Sequence, residues 1–275
     1  MQRATFGRRR TPTPLSLLRS TPLSATTSRR RFLTTALAAG ACSTGLVACS
    51  DGTPPNSSAV PGGTDSRPAG GSNPPTAVPV TTGRQALDRL LAGNARFVAE
   101  REERLDEGVA RRVAVSKGQH PFATVLGCVD SRVPIELVFD QGLGDLVVVR
   151  SAGEALDHSV TGSLEFGVAE LHTPLLVVLG HQRCGALDAT IKAVDAKQRT
   201  AEAGQIGYLV ETLAPAVRQV AGQPGDRLTN AIHANVDMVL GKLRQSPVIG
   251  PLERAGKVEL VGAYYELDTG KVIVS

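Results

Sequence analysis

Three short, continuous apolar runs in the middle of the chain constrain its fold more than any other feature. The runs are Ala123–Val129, Leu146–Val149 and Leu175–Leu179. Continuous apolar runs of this length, unlike alternating ones, are typical of central parallel strands covered on both faces. Stretches with helical periodicity follow the strands, at His158–His172, Gly185–Lys197, Ile206–Val220 and Leu228–Arg244. Strands alternating with helices predict an α/β domain with a mostly parallel central sheet flanked by helices.

The two ends of this domain have their own patterns. Apolar residues recur at helical spacing between Ala86 and Val98, which predicts an amphipathic first helix. At the C-terminus, the strand-like runs Val258–Glu266 and Val272–Val274 are separated by the turn Asp268-Thr269-Gly270. Two runs joined by so short a turn predict an antiparallel C-terminal edge strand. We therefore expect one folded domain over 83–275.

The first 48 residues have the composition of an export leader. The first fifty residues contain eight arginines and no acidic residue, and the other 225 residues carry 22 basic and 26 acidic ones. The basic charge thus belongs to the leader, and the remainder shows no basic stripe typical of nucleic-acid binding. Arg29-Arg30-Arg31-Phe32-Leu33 opens a short apolar run, as in a twin-arginine secretory signal.

Leu46-Val47-Ala48-Cys49 resembles a bacterial lipobox, in which Cys49 becomes the lipidated first residue of the mature protein. The alternative is an ordinary cleavage site in which Cys49 has no role. Residues 49–82 are dominated by Pro, Gly, Ser and Thr, which predicts a disordered tether. We expect an exported protein anchored by lipid on the extracytoplasmic side of a bacterial membrane, at the cell surface or in the periplasm.

Metal-ligating residues follow two of the predicted strands. Cys128 stands at the end of the first run, and His181 and Cys184 follow the third. Ligands of open α/β sheets lie beyond the carboxyl ends of the strands. Two thiolates and one imidazole suit Zn²⁺ and leave a fourth tetrahedral position free, as in catalytic sites. The alternatives are two buried apolar thiols, or a disulfide in an exported protein.

Asp130 and Arg132 complete this group. An arginine can bind a carboxylate through two hydrogen bonds and keep it ionised. Asp130 would then accept a hydrogen bond from zinc-bound hydroxide and direct its lone pair at the substrate. The alternative is a turn tied by a surface ion pair.

The chain from about Gly83 onward resembles the β-class carbonic anhydrases. The resemblance rests on Cys128-Val129-Asp130-Ser131-Arg132-Val133-Pro134, His181-Gln182-Arg183-Cys184-Gly185-Ala186 and Gly93-Asn94-Ala95-Arg96-Phe97. It implies reversible hydration of carbon dioxide to bicarbonate and a proton, with one Zn²⁺ per subunit. It also implies dimers, often paired into tetramers, with the active site at the dimer interface.

The resemblance assigns Cys128, His181 and Cys184 as ligands and Asp130 with Arg132 as the catalytic dyad. It further implies that Gln119 binds substrate from the neighbouring subunit and that Gly153 lets the backbone approach it. Zinc lowers the pKa of bound water to about 7, so hydroxide attacks carbon dioxide near neutral pH. We expect Val133 and Val147 to form the walls of an apolar substrate pocket.

The chain also departs from the family pattern. Arg150-Ser151-Ala152-Gly153-Glu154 stands where Arg-Asn-Ala-Gly-Asn is usual, and Arg183 stands where smaller residues are common. Two other functions use the same residues. One is hydrolysis of CS₂ or COS by the same zinc site, and the other is zinc binding by a lipoprotein without catalysis.

Overall fold

The computed structural model describes residues 79–104, 106–197 and 204–275. The predicted leader, Cys49 and nearly all of the predicted tether lie outside the described residues. Within the described part of the chain, no helix is both long enough and apolar enough to cross a membrane.

The core of the fold is one five-stranded sheet. Its strands are β1 (Ala123–Gly127), β2 (Leu146–Arg150), β3 (Leu175–His181), β4 (Glu259–Tyr265) and β5 (Val272–Val274). They lie in the order β2-β1-β3-β4-β5. The first four are parallel, and only β5 runs antiparallel, against β4. The predicted fold class, including the antiparallel C-terminal edge strand, is confirmed.

Eight α-helices and one 3₁₀ turn connect and cover the sheet in the described residues. The helices are α1 (Gly83–Val98), α2 (Val109–Val115), α3 (Ile135–Val138), α4 (His158–Ala169), α5 (Gly185–Asp195), α6 (Gln205–Gln219), α7 (Arg227–Arg244) and α8 (Ile249–Arg254), and the 3₁₀ turn is Ala152–Glu154. The long helices agree with the predicted ones to within three residues at either end. The short helices α2, α3 and α8 were not expected, since four to seven residues give too little periodicity to detect.

The central strands are apolar throughout because both of their faces are covered. Every residue of β1 and β3 is buried. On one face they pack against α1 and α3, with Leu90 and Phe139 fully buried. On the other face they pack against α4, α7 and α8, where Leu164 is fully buried. Each such side chain contributes about 1.5–3 kcal/mol through its burial.

Side-chain caps set where the principal helices begin. Thr82 accepts a hydrogen bond from the backbone of Gln85, whose side chain reaches back to Thr82, forming a capping box at α1. Helices α4 and α7 begin with simpler caps. The side chain of Asp157 accepts a hydrogen bond from the backbone N–H of Val160, and that of Asp226 accepts one from the N–H of Thr229.

The strand order fixes the place of the site. The connection from β1 leads to β2 on one side, whereas β3 lies on the other side of β1. The crevice beyond the carboxyl ends of β1 and β3 is therefore the switch point at which open α/β sheets bind their ligands.

Candidate metal centre

The three predicted ligands converge at this switch point. Cys128 directly follows β1, His181 is the last residue of β3, and Cys184 caps the start of α5. Their Sγ and imidazole N atoms all lie within 4.8 Å of one another, and all three residues are buried. This is the one such group of metal-ligating side chains in the described residues.

His181 is oriented to present one nitrogen to a metal. Its Nδ1 lies 3.0 Å from the carbonyl oxygen of Gln182, so this nitrogen carries the proton and donates it. Its Nε2 is buried, and no hydrogen-bond partner for it exists among the described residues. A buried nitrogen without a partner costs free energy unless something binds it, and a metal ion fits that need.

The surroundings of Cys128 favour its thiolate form, the form in which a cysteine can bind a metal. The backbone N–H of Gly153 lies 3.3 Å from its Sγ. A hydrogen bond from the Cys184 thiol, followed by contributions from His181 and Gly153, lowers the pKa of Cys128 to about 4, against the opposing effect of burial. Gly153 has φ of 61°, a left-handed conformation that favours glycine. A Cβ there would lie 2.9 Å from Leu213 Cδ1.

Cys184 and Cys128 form no disulfide in the structure. The alternative of a disulfide between them therefore does not describe this fold. The pKa of Cys184 is raised, because its thiol donates to Cys128 and because it is buried. One proton shared by two adjacent sulfurs is displaced when a cation binds both.

The predicted dyad lies at the mouth of this group. Arg132 donates from Nε to Oδ1 of Asp130 at 2.9 Å and from Nη2 to Oδ2 at 2.8 Å. These hydrogen bonds hold the pKa of Asp130 well below its usual range. Asp130 Oδ2 lies 4.0 Å from His181 Nε2. Asp130 is thus an ionised hydrogen-bond acceptor beside His181.

An apolar cavity of about 300 Å³ opens beside Cys128 and Asp130. Ala152, α5 and α6 supply most of its other walls, which include Ala186, Ala189, Leu209, Val210 and Leu213. The two valines predicted as walls do not line it. Val133 is fully buried in the core against α1 and α3, and Val147 lies on β2 in a separate groove with Phe166.

The remaining predicted residues fall in two places. Gly153 contacts Cys128, as described above. Gln119 is exposed, in the connection between α2 and β1, and lines none of the cavity beside Cys128. Within one chain, Gln119 and Val147 are therefore not brought to the three ligands.

The structure also shows residues around the site that sequence reasoning did not identify. Arg150 donates to the carbonyl oxygens of Cys128 at 2.8 Å and Asp130 at 2.6 Å, which fixes the loop after β1. Asn235 on α7 is fully buried and donates to the carbonyl oxygen of Gly153 at 2.8 Å. The polar Asn235 on the otherwise apolar face of α7 is the signal that could have identified it.

Glu154 is a further buried residue next to this group. Its side chain is almost fully buried, and neither carboxyl oxygen has a hydrogen-bond partner among the described residues. Burial, together with the negative charge of Cys128, raises its pKa well above the usual value, and the nearby Asn235 amide opposes the rise. Burial thus favours the protonated, neutral form of the Glu154 carboxyl group.

Comparison with known proteins agrees with this site. A family model described as carbonic anhydrase matches residues 123–272, which include all three ligands. Carbonic anhydrase 2 of Mycobacterium tuberculosis is 37% identical over 201 residues, covering 72% of this chain and 95% of that protein. The carbonic anhydrase of Mycolicibacterium smegmatis is 40% identical over 185 residues, covering 66% of this chain and 88% of that protein.

A solved structure supports the fold independently. One of two tetrameric β-carbonic anhydrases from the filamentous ascomycete Sordaria macrospora superposes with a TM-score of 0.54 at 21% identity. The match covers 68% of this chain and 95% of that chain.

Proposed function

The chain belongs to the β-class carbonic anhydrase family and is a zinc-dependent carbonic anhydrase, and we propose that Cys128, His181 and Cys184 hold the metal while Asp130 and Arg132 orient the reacting water. One observation carries this proposal. Three buried soft donors meet within 4.8 Å, and the His181 Nε2 among them has no other partner in the described residues.

The donor set fits zinc. Two sulfurs and one imidazole nitrogen are the ligands of a catalytic site that keeps a fourth position open. When bound, zinc supplies Lewis-acid activation of water near neutral pH. The reaction converts carbon dioxide and water into bicarbonate and a proton.

Each neighbouring residue has a definite task in this reaction. Asp130, kept ionised by Arg132, accepts a hydrogen bond from the reacting water and points the water's lone pair at the carbon atom. The apolar walls from α5 and α6 favour carbon dioxide over water in the cavity. Gly153 fixes the position and charge of Cys128 through its backbone N–H.

A non-catalytic zinc protein would not need this arrangement. Metal storage requires the three ligands alone, whereas here Asp130 lines the cavity beside Cys128 and is paired with Arg132. The pair therefore favours catalysis over simple binding.

We further propose that two chains form a homodimer and that dimers can pair into a tetramer. Strand β2 is an edge of the sheet that pairs only with β1 in the described residues, and all but its last residue are half-buried. Phe166 is 53% exposed in the groove that also contains Val147. An exposed edge with an apolar groove favours pairing with a second copy, which would bring Gln119 and Val147 to the partner's ligands.

The proposals for the N-terminal residues rest on sequence. We propose that residues 1–48 form a twin-arginine signal, that Cys49 is lipidated, and that 49–82 tether the enzyme, 83–275, outside the membrane. Export in the folded state would allow zinc to be loaded where thiols stay reduced.

The test of the site is stopped-flow CO₂ hydration by the full-length chain, with zinc counted per chain in the same preparation. We expect one zinc per subunit and hydration activity, both lost in Cys184→Ser. Cys42→Ser is the matched control, because it removes a cysteine outside the proposed site and should keep both. A chain that binds no zinc, or a Cys184→Ser variant that keeps full activity, would refute the ligand assignment.

A further inference from the structure

The two residues between the proposed ligands His181 and Cys184 donate hydrogen bonds to one carboxylate in a turn that is distant in the sequence. Asp268, in the turn between β4 and β5, accepts hydrogen bonds from Arg183 Nη2 at 2.6 Å and Nη1 at 2.9 Å. It also accepts from Gln182 Nε2 at 3.0 Å, and its own backbone N–H donates back to Gln182 Oε1 at 3.2 Å. Both residues between the two ligands are thus bound by Asp268.

The turn that carries Asp268 is itself fixed by a buried side chain. Asn94 on α1 is buried and donates to the carbonyl oxygen of Gly270 at 2.8 Å, while its Oδ1 accepts from the N–H of Val272 at 2.8 Å. An exposed ion pair between two mobile side chains usually contributes little. Asp268 differs because Asn94 holds the residues that follow it, and the N–H of Gly270 donates to the carbonyl oxygen of Glu266 across the turn at 2.9 Å.

The loop held by Asp268 is connected in turn to the dyad. The carbonyl oxygen of Arg183 accepts a hydrogen bond from Arg132 Nη2 at 3.3 Å, and the same Nη2 donates to Asp130. Arg183 has φ of 55°, a conformation uncommon outside glycine, so its carbonyl direction depends on contacts that hold it there. Asp268 supplies those contacts through the Arg183 guanidinium.

We propose that Asp268 is a positioning residue for the reaction, acting through Gln182 and Arg183 on the ligands His181 and Cys184 and through the Arg183 carbonyl on Arg132. This inference rests on the proposed role of the Asp130–Arg132 dyad. The arrangement also explains a departure from the family pattern. Arg183 stands where smaller residues are common because its side chain reaches the turn between β4 and β5.

The test compares Asp268→Ala with the wild type in the full-length, zinc-loaded enzyme. We expect kcat per bound zinc to fall about tenfold or more, the usual cost of losing a residue that orients a metal ligand. KM should stay close to the wild-type value, because Asp268 contacts no substrate. In the cobalt-substituted enzyme, the visible absorption bands should change shape, since they report the ligand geometry directly.

Two further variants keep the experiment decisive. Asp195→Ala is the matched control, because it removes an exposed carboxylate that also binds an arginine, with Arg227 Nη1 at 3.0 and 2.9 Å from its two oxygens. It should leave kcat and the cobalt spectrum unchanged. Arg183→Ala breaks the same contact from the other side and serves if Asp268→Ala folds poorly. The double variant should lose less than the sum of the two single losses.

The outcomes separate this inference from the proposed function. Asp268→Ala with wild-type kcat per zinc and an unchanged cobalt spectrum would overturn the positioning role, even if its zinc content or stability fell. If Asp130→Ala, measured in parallel, also kept full activity, the proposed dyad itself would be wrong. Loss of activity in Asp130→Ala but not in Asp268→Ala would refute only the role of Asp268.

Discussion

The guanidinium of Arg132 donates hydrogen bonds to both carboxylate oxygens of Asp130, from Nε to Oδ1 at 2.9 Å and from Nη2 to Oδ2 at 2.8 Å. The backbone N–H of Arg132 also donates to Oδ1 at 3.0 Å. Three hydrogen bonds from one residue leave the Asp130 carboxylate little freedom to turn. Its Oδ2 lies 4.0 Å from Nε2 of the proposed ligand His181.

Removing either member of this pair should abolish most turnover without releasing the metal. For Asp130→Ala and for Arg132→Ala we expect kcat to fall about 100-fold, because the reacting water loses its orientation. Zinc content should stay at one per chain, since neither residue is a ligand. Stopped-flow hydration and metal analysis on the same samples measure both quantities.

The control for this experiment is Glu136→Ala, which removes an exposed carboxylate of α3 a few residues further along. It should leave both kcat and zinc content unchanged. Loss of zinc from Asp130→Ala would show that the dyad supports metal binding and would contradict the assigned role.

Gln119 provides a test of the proposed dimer. If Gln119 acts on the partner's site, a dimer of one Gln119→Ala chain and one Asp130→Ala chain contains one intact site. Mixing the two inactive variants under conditions of subunit exchange should therefore restore about a quarter of the wild-type activity, as expected for random pairing in a symmetric dimer. Stopped-flow assays of each variant and of the mixture make the measurement.

The result has a clear contrary outcome. A mixture no more active than the average of its two components would place Gln119 and Asp130 in the same subunit's site or remove Gln119 from catalysis. Mixing Asp130→Ala with Arg132→Ala is the control. Those two residues lie in one chain's site, so no intact site can form.

Glu154 predicts an unusual dependence of stability on pH. Its pKa is raised in the folded state from about 4.3 in the unfolded state. Between these two pKa values, the native state keeps a proton that the unfolded state has lost. The free energy of unfolding therefore falls as pH rises through this range. Glu154→Gln removes the titration and keeps the shape, so its stability relative to wild type should increase with pH.

Thermal unfolding of the zinc-loaded enzymes at about pH 5.5 and 8.5 would measure this difference. Glu259→Gln is the control, because this glutamate at the start of β4 is exposed. A Glu154→Gln variant whose stability relative to wild type stays constant across this range would contradict the raised pKa of Glu154.

The proposed lipidation of Cys49 predicts where the protein is found in the cell. If it is lipidated, the protein should partition into the membrane fraction, and its mature N-terminal peptide should carry the added mass of acyl chains. Cys49→Ser should move the enzyme into the soluble exported fraction, and Cys42→Ser should not. Mass spectrometry of the mature N-terminus distinguishes lipidation from cleavage at another position.

Sequence reasoning was most successful where the pattern is long or the chemistry is unusual. The strands β1 and β3 are recognisable because they are apolar throughout, and the three ligands stand out because soft donors follow both strands. The predicted end of the first strand at Val129 was too late, since the structure ends β1 at Gly127. Val129 is apolar but 56% exposed, which periodicity cannot distinguish from the buried residues before it.

Contacts between segments that are far apart in the chain could not be predicted from the sequence. Val133 was predicted to form a wall of the substrate pocket, yet it is fully buried in the core cluster with residues of α1 and α3. Asp268 lies 85 residues from Arg183, and nothing in the local sequence pairs them. Asn235 and Arg150 donate to backbone carbonyl oxygens. Because every residue type has such an oxygen, the sequence does not indicate which residues these side chains bind.

The hydrogen-bonding register of β1 with β3 sets a strict limit on how this protein can change in length. Gly127 lies opposite Leu179, so Cys128 and His181 meet only because each follows its strand by a fixed number of residues. Deleting a single residue from β3 would turn His181 to the opposite face of the sheet and leave the two cysteines without their third donor. Homologous enzymes should therefore vary in length between these strands and helices, while the seven residues of β3 stay free of insertions and deletions.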